Sequence, residues 1–156
     1  MRVAGIDPGA NGAMCVLDSN DPAYAEVFDL HNTTPYEAAN WLFKQQVNKV
    51  FIEDVHSLYG MSAKSNFNFG YAVGLVNTIS NIVLRGSYPI LVQPKAWQQA
   101  VGVTVKGGKF IKQQVSELAQ EKFPNLNLKG KMGALKDGRS DATMLAYYGL
   151  YLHKED

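Results

Sequence analysis

The hydrophobic period of this chain first changes near Thr33–Pro35, and that change limits the available folds more than any other feature. Before it, "MRVAGID", "AMCVLD" and "AYAEVFDL" read as strands separated by turn residues, an antiparallel meander. After it, helical periods alternate with apolar strand runs. "TTPYEAANWLFKQQ" has Thr34 as N-cap, Pro35 at the first helical position and Glu37 three residues past Thr34, which makes a capping box. Ala38, Trp41 and Leu42 form its buried stripe. "NKVFIEDVH" and "YPILVQP" are apolar enough to be strands covered on both faces. Three further helices are expected: "FNFGYAVGLVNTISNIVLRG", with Gly70 and Gly74 close against the sheet; "KFIKQQVSELAQEKF", with Ile111, Val115, Leu118 and Ala119 inward; and a last one from about Arg139 to Leu152.

The order β-β-β-α-β-α-β-α-α predicts an α/β fold, a mixed five-stranded sheet of three antiparallel strands and then parallel additions, with helices on both faces. No linker or repeat divides the 156 residues, so residues 1–156 are expected to form one domain. The single cysteine, Cys15, excludes an internal disulfide framework and a cysteine metal site. With no apolar run of membrane length and no apolar leader in "MRVAGID", the expected location is cytoplasmic.

Several acidic residues interrupt this apolar pattern. Asp7 ends the first strand in "GIDPGANG", where a charge is costly unless it is hydrogen-bonded, paired or metal-bound. Asp before Pro-Gly is also ordinary turn chemistry. In "VFIEDVH", alternation puts Glu53 on one face with Phe51 and Val55, and Asp54 on the other with Ile52 and His56, so one of them needs a partner inside the fold. "KDGRSDATMLAYYG" opens the last helix with Asp137 and Asp141, four apart on one helical face, where like charges repel unless something positive lies between them. A turn at Asp137-Gly138 and a cap at Ser140 or Asp141 account for the same residues structurally. Oxygen ligands without cysteine or paired histidines suit Mg²⁺ or Mn²⁺ better than zinc.

Charge is also unevenly placed. Residues 95 to 139 hold nine basic residues (Lys95, Lys106, Lys109, Lys112, Lys122, Lys129, Lys131, Lys136, Arg139) against Glu117, Glu121 and Asp137. Such a segment is either a phosphate-binding footprint or a solvated helix with lysine-rich loops.

Taken in order, "GIDPGANG", "FIEDVH" and "DGRSDATMLA" resemble the RuvC-type Holliday junction resolvases of the RNase H-like superfamily, in a short form similar to phage-encoded members. The likeness spans nearly the whole chain, and "VQPKAWQQAVG" resembles phage-type members at Pro94 and Trp97. It implies an endodeoxyribonuclease that resolves four-way junctions as a homodimer by two-metal phosphodiester hydrolysis with Mg²⁺ or Mn²⁺, in the host cytoplasm if phage-encoded. Asp7, Glu53 and Asp141 match the family's ligands. The fourth ligand commonly lies three residues before the last aspartate, where this chain has Gly138, and Asp137 is taken in its place.

The resemblance also implies a lysine beside the scissile phosphate, Lys112 first and Lys109 second. Phosphate contacts are expected from Lys64, Lys95, Lys106, Lys109, Lys129, Lys131, Lys136 and Arg139, and stacking or wedging from His56, Tyr59, Met61 and Phe67, with Tyr59 and Met61 the more exposed and Phe67 and Phe69 packed. The helix after that loop, at Phe69, Tyr71 and Val73 to Ile79, is expected at the twofold interface. Trp97 is read as a packing residue, with a DNA contact as the alternative. Three other readings compete: a debranching nuclease acting on forks and flaps, a junction-binding protein that does not cleave, and an actin-like ATPase, which needs two such domains where this chain holds one.

Overall fold

The computed structural model describes residues 1–9, 11–55, 60, 62–129 and 136–154. Strands β1 (Arg2–Asp7), β2 (Ala13–Asp18), β3 (Asp21–Asp29), β4 (Lys49–Glu53) and β5 (Ile90–Val92) form one sheet in the order β3-β2-β1-β4-β5. The β1–β2 and β2–β3 pairs are antiparallel, and the β1–β4 and β4–β5 pairs are parallel. Connectivity explains this arrangement. Short turns reverse the chain, whereas helices α1 (Pro35–Lys44) and α2 (Ala63–Val83) carry it back to start the next strand in the same sense.

Alternation along the strands sorts the side chains between two layers. Ala4, Ile6, Met14, Val16, Val50 and Ile52 meet Ala38 and Leu42 of α1 and Val76 and Ile79 of α2. On the other face, Val3 and Phe51 pack against Trp97 of α3 (Pro94–Ala100), Val115 and Ala119 of α4 (Gly108–Lys122), and Met144 and Leu145 of α5 (Asp137–Tyr147). Ala13, Cys15 and Leu17 extend that second layer to Ala142 and Ala146. Two residues beyond Gly5 and Phe51 respectively, Asp7 and Glu53 fall on the α5 side of the sheet. The expected capping box closes α1: the Glu37 N–H donates to Thr34 Oγ1 at 3.2 Å, and the Thr34 N–H to Glu37 Oε2 at 2.8 Å.

Six expectations are corrected. Helix α3 was absent from the predicted order, because seven residues are too few to show a helical period; Pro94 at its first position is its only sequence signal. Helix α2 starts four residues earlier than predicted, behind a Ser62 cap whose Oγ accepts from the Ser65 N–H. Gly70 and Gly74 do not touch the sheet, since a Cβ on either meets nothing within 4 Å. They lie on the outer side of α2, Gly74 about 200° round the helix from buried Val76. Phe67, expected to pack, is 74% exposed, and β5 is a three-residue edge strand with Leu91 half exposed. The last helix begins at Asp137, not Arg139, and ends in a π-helical turn, Tyr148–Leu152, where Gly149 presses on the Phe51 ring so closely that a Cβ would sit 2.4 Å from it. Among the described residues no helix is long and apolar enough to cross a membrane.

Candidate functional site

Two glycines set the position of α5. A Cβ on Gly5 would lie 2.3 Å from the Ala142 carbonyl oxygen and 2.4 Å from the Ala146 amide nitrogen, so α5 rests with its backbone directly on β1. A Cβ on Gly138 would lie 2.2 Å from the Asn11 carbonyl oxygen and 2.9 Å from Gly12 Cα, so the first turn of α5 seats on the β1–β2 turn. Between these two contacts Asp141 is brought beside the end of β1, where Asp7 stands. The register Ile6↔Ile52 then sets Glu53, at the end of β4, next to Asp7. Gly138 has no room for any side chain, so a carboxylate three residues before Asp141 is sterically excluded.

Asp7 takes part in the turn that the sequence suggested, because its Oδ1 accepts the Gly9 N–H at 2.8 Å. Asp137 and Asp141 are not caps. The N-cap position is Lys136, with no side-chain capping bond, and Asp137 instead accepts a 2.8 Å bond from Lys112 Nζ on α4. Glu53 is buried, and its Oε1 accepts the indole N–H of fully buried Trp97 at 3.0 Å.

These groups form one electrostatic cluster. Burial raises the Asp7 carboxyl above its usual range, opposed by the Gly9 N–H and Lys112, with Asp137 adding to the rise. Burial and then the charge on Asp7 push Glu53 up to about 7, against the Trp97 N–H and Lys112. Burial again, followed by Asp7, Glu53 and Asp137, holds Asp141 well above the carboxylate range, with Lys112 the opposing charge. The hydrogen bond to Asp137 raises Lys112, and Asp137, Asp141 and Asp7 add to it through space. One ammonium therefore faces four carboxylates, in a cleft of about 450 Å³ that also takes in Asp29, His31, Phe69 and Lys136.

As the side chains stand, no three acidic, histidine or cysteine groups among the described residues converge closely enough to cage an ion. The chemistry of the set nonetheless fits a hard divalent cation. The donors are all carboxylate oxygens, they repel one another, and a cation would relieve the cost of ionising them.

Asp29 is a cleft residue that the sequence reading missed. The rows Asp7↔Ala13 and Ala13↔Asp29 put it on the same face as Asp7, two strands away. It accepts from Arg139 Nε at 2.7 Å, Arg139 Nη2 at 2.9 Å and Lys136 Nζ, and the Arg139 bond leads in lowering its pKa to about 2. Arg139 Nη1 also donates to the carbonyls of Asn127 and Lys129. Arg139 is thus a bolt between β3, the loop after α4 and α5, and its guanidinium is committed inside the protein. Counting the alternation in "AYAEVFDL" back from Asp29 was the available signal.

The other predicted contacts divide in two. Lys64 and Lys106 are exposed, and Lys109 shares with Lys112, Lys129 and Asp137 an open groove of about 610 Å³ beside the cleft. Lys95 is exposed on α3, and Trp97, buried there, packs as expected. His56, Tyr59, Met61 and Lys131 lie outside the described residues.

No protein-family model matches this sequence, and no curated protein matches it. Solved structures do. RuvC from T. thermophilus in complex with Holliday junction substrate matches with a TM-score of 0.58 and 17% identity, over 96% of this chain and 95% of that one. A second structure of Thermus thermophilus RuvC matches with a TM-score of 0.55 and 19% identity over the same shares. At these identities the likeness concerns the fold: the chain has the RNase H-like fold of RuvC.

Proposed function

We propose that this chain is a metal-dependent endodeoxyribonuclease that resolves four-way DNA junctions as a homodimer. The observation that carries the reading is the cluster of Asp7, Glu53 and Asp141 around Lys112, at one end of β1 and β4 in a RuvC-like fold. Asp7, Glu53, Asp141 and Asp137 are the residues to hold Mg²⁺ or Mn²⁺. When bound, such ions supply an activated water and charge stabilisation at the leaving oxygen of a phosphodiester.

The chain's own groups then have distinct tasks. Asp137 keeps Lys112 extended over the cleft, from which the ammonium is placed to bind a non-bridging phosphate oxygen and stabilise developing charge. Lys109 and Lys129 continue the positive side of the adjoining groove, and Lys64 and Lys106 are exposed for backbone contacts that carry no base information. The outer stripe of α2, with exposed Phe67, Tyr71 and Ile82 and the bare backbone of Gly74, is the surface to bury against a second copy. A twofold pair would present two clefts to two opposed strands of a junction.

The test is to incubate the protein with labelled four-way junction, fork, flap and linear duplex in Mg²⁺ and in Mn²⁺. Symmetric, ligatable nicks confined to the junction are expected. Equal cutting of forks and flaps would point to a general debranching nuclease, and tight binding without nicks at any metal concentration would leave a junction-binding protein. Asp7→Asn is expected to abolish nicking while junction binding persists.

A further inference from the structure

We infer that Trp97 is a positioning residue for Glu53, its indole N–H fixing which way that carboxylate presents itself to the cluster. This role rests on the nuclease reading above, in which Glu53 holds a divalent cation. The geometry is that of a buried pair. Trp97 is 0% exposed, and its Nε1 donates to Glu53 Oε1 at 3.0 Å. Among the described residues it is the one hydrogen-bond donor to that carboxylate. One oxygen of Glu53 is thereby taken by a neutral, rigid donor, so the side chain has a single favoured orientation toward Asp7 and Asp141.

The segment that delivers Trp97 is tied to the same strand at two further points. Val92 of β5 pairs with Glu53, and its carbonyl accepts the Asp54 N–H at 2.8 Å. Gln93 Nε2 donates to Asp54 Oδ2 at 2.9 Å. Pro94 then starts α3 at once, which places Trp97 one turn later, over Glu53. Thus "QPKAW" follows β5 directly and holds both acidic residues of "FIED", Asp54 through Gln93 and Glu53 through Trp97. A buried indole N–H needs an acceptor and a buried carboxylate needs a donor, so each satisfies the other. A charged acceptor at this site goes beyond packing, because groups that orient a ligand typically alter metal affinity 10–100-fold when removed.

The experiment compares the intact protein with Trp97→Phe, which keeps the ring packing and deletes the N–H, and with Glu53→Gln, which keeps an acceptor oxygen and removes the charge. In ¹H–¹⁵N spectra two indole signals are expected, from Trp41 and Trp97, and W97F assigns the second by its disappearance. That signal is expected to shift on Glu53→Gln and on titration with Mg²⁺. In parallel, Mg²⁺ and Mn²⁺ binding is followed by calorimetry and by thermal shift without DNA, and W97F is expected to bind about 10–100-fold more weakly than the unsubstituted protein. Equal metal affinity in the two, with W97F folded, overturns the positioning role alone. An indole signal insensitive to Glu53→Gln overturns it too, and decides the case if W97F does not fold, with Trp41→Phe then making the assignment by elimination. If the unsubstituted protein binds neither ion, the metal reading of the site fails, and this role fails with it.

Discussion

Asp141 and Asp29 are both carboxylates at the cleft, yet their surroundings push them in opposite directions. Asp141 is buried among Asp7, Glu53 and Asp137 with one lysine to answer them, and its ionised form is strained. Asp141→Asn is therefore expected to abolish nicking while raising the melting temperature of the metal-free protein, by about 2–4 °C for each kcal/mol of repulsion relieved. An unchanged or lower melting temperature would show that the cluster carries no such strain. Asp29 is held by Arg139 and Lys136, and its pKa falls from an ordinary 3.8 to about 2. A depressed carboxylate contributes stability that is fully present above about pH 4 and is lost as pH falls toward 2. Discounted for its partial exposure, that contribution is about 1–2 kcal/mol. Asp29→Asn should lower the urea midpoint at pH 7, with the gap to the unsubstituted protein narrowing steadily below pH 4. Gly138 settles a third question, since the Asn11 carbonyl occupies the space where its side chain would go. No acidic side chain fits at that position, and the carboxylate next to it, Asp137, accepts a hydrogen bond from Lys112 instead.

At the scale of elements, α5 on β1 is the contact on which the site depends. The small residues Gly5, Ala142 and Ala146 allow the helix backbone to touch the strand, and the helix brings Asp141 with it. Gly5→Ala is expected to cost about 1–3 kcal/mol, because the methyl group meets backbone that cannot swing aside. It should also reduce nicking by more than the unfolded fraction explains, as Asp141 is lifted from Asp7; activity that merely tracks the folded fraction would argue against this coupling. Helix α2 is the opposite case. Its inner side buries Val76, Ile79 and Ser80, while Phe67, Tyr71, Gly74, Thr78 and Ile82 form an outer stripe with a spacing of three and four. If that stripe is the twofold contact, Tyr71→Glu should convert the dimer to a monomer in sedimentation, leaving the melting transition of the single chain cooperative. A dimer that survives the charge would place the contact elsewhere.

For the whole molecule, the net charge of +1 conceals a basic segment, of which Lys109, Lys112 and Lys129 line one groove together with Glu117 and Asp137. Lys109 and Lys129 are exposed there beside the cleft, and substituting either by Gln should weaken junction binding about equally for all sequences and lower the salt slope by about 1. A sequence-dependent loss would mean that these lysines read bases. Much of this molecule was legible beforehand. The apolar runs "MRVAGID", "AMCVLD" and "NKVFIED" marked three strands, the capping box opened α1, and the order of elements implied antiparallel strands followed by parallel additions, because each of these depends on neighbours close in the chain. Asp7, Glu53 and Asp141 stood out for the same reason, as charges in apolar periods. Other features depended on residues far apart in the chain. That Arg139 is spent on Asp29 rather than left for a phosphate, that Trp97 donates to Glu53, and that Gly70 and Gly74 face outward could be decided only once the strands and helices had docked. Local sequence sets which way a side chain points along its own element; what it meets there is set by packing between elements, and in this protein that packing put one lysine among four carboxylates.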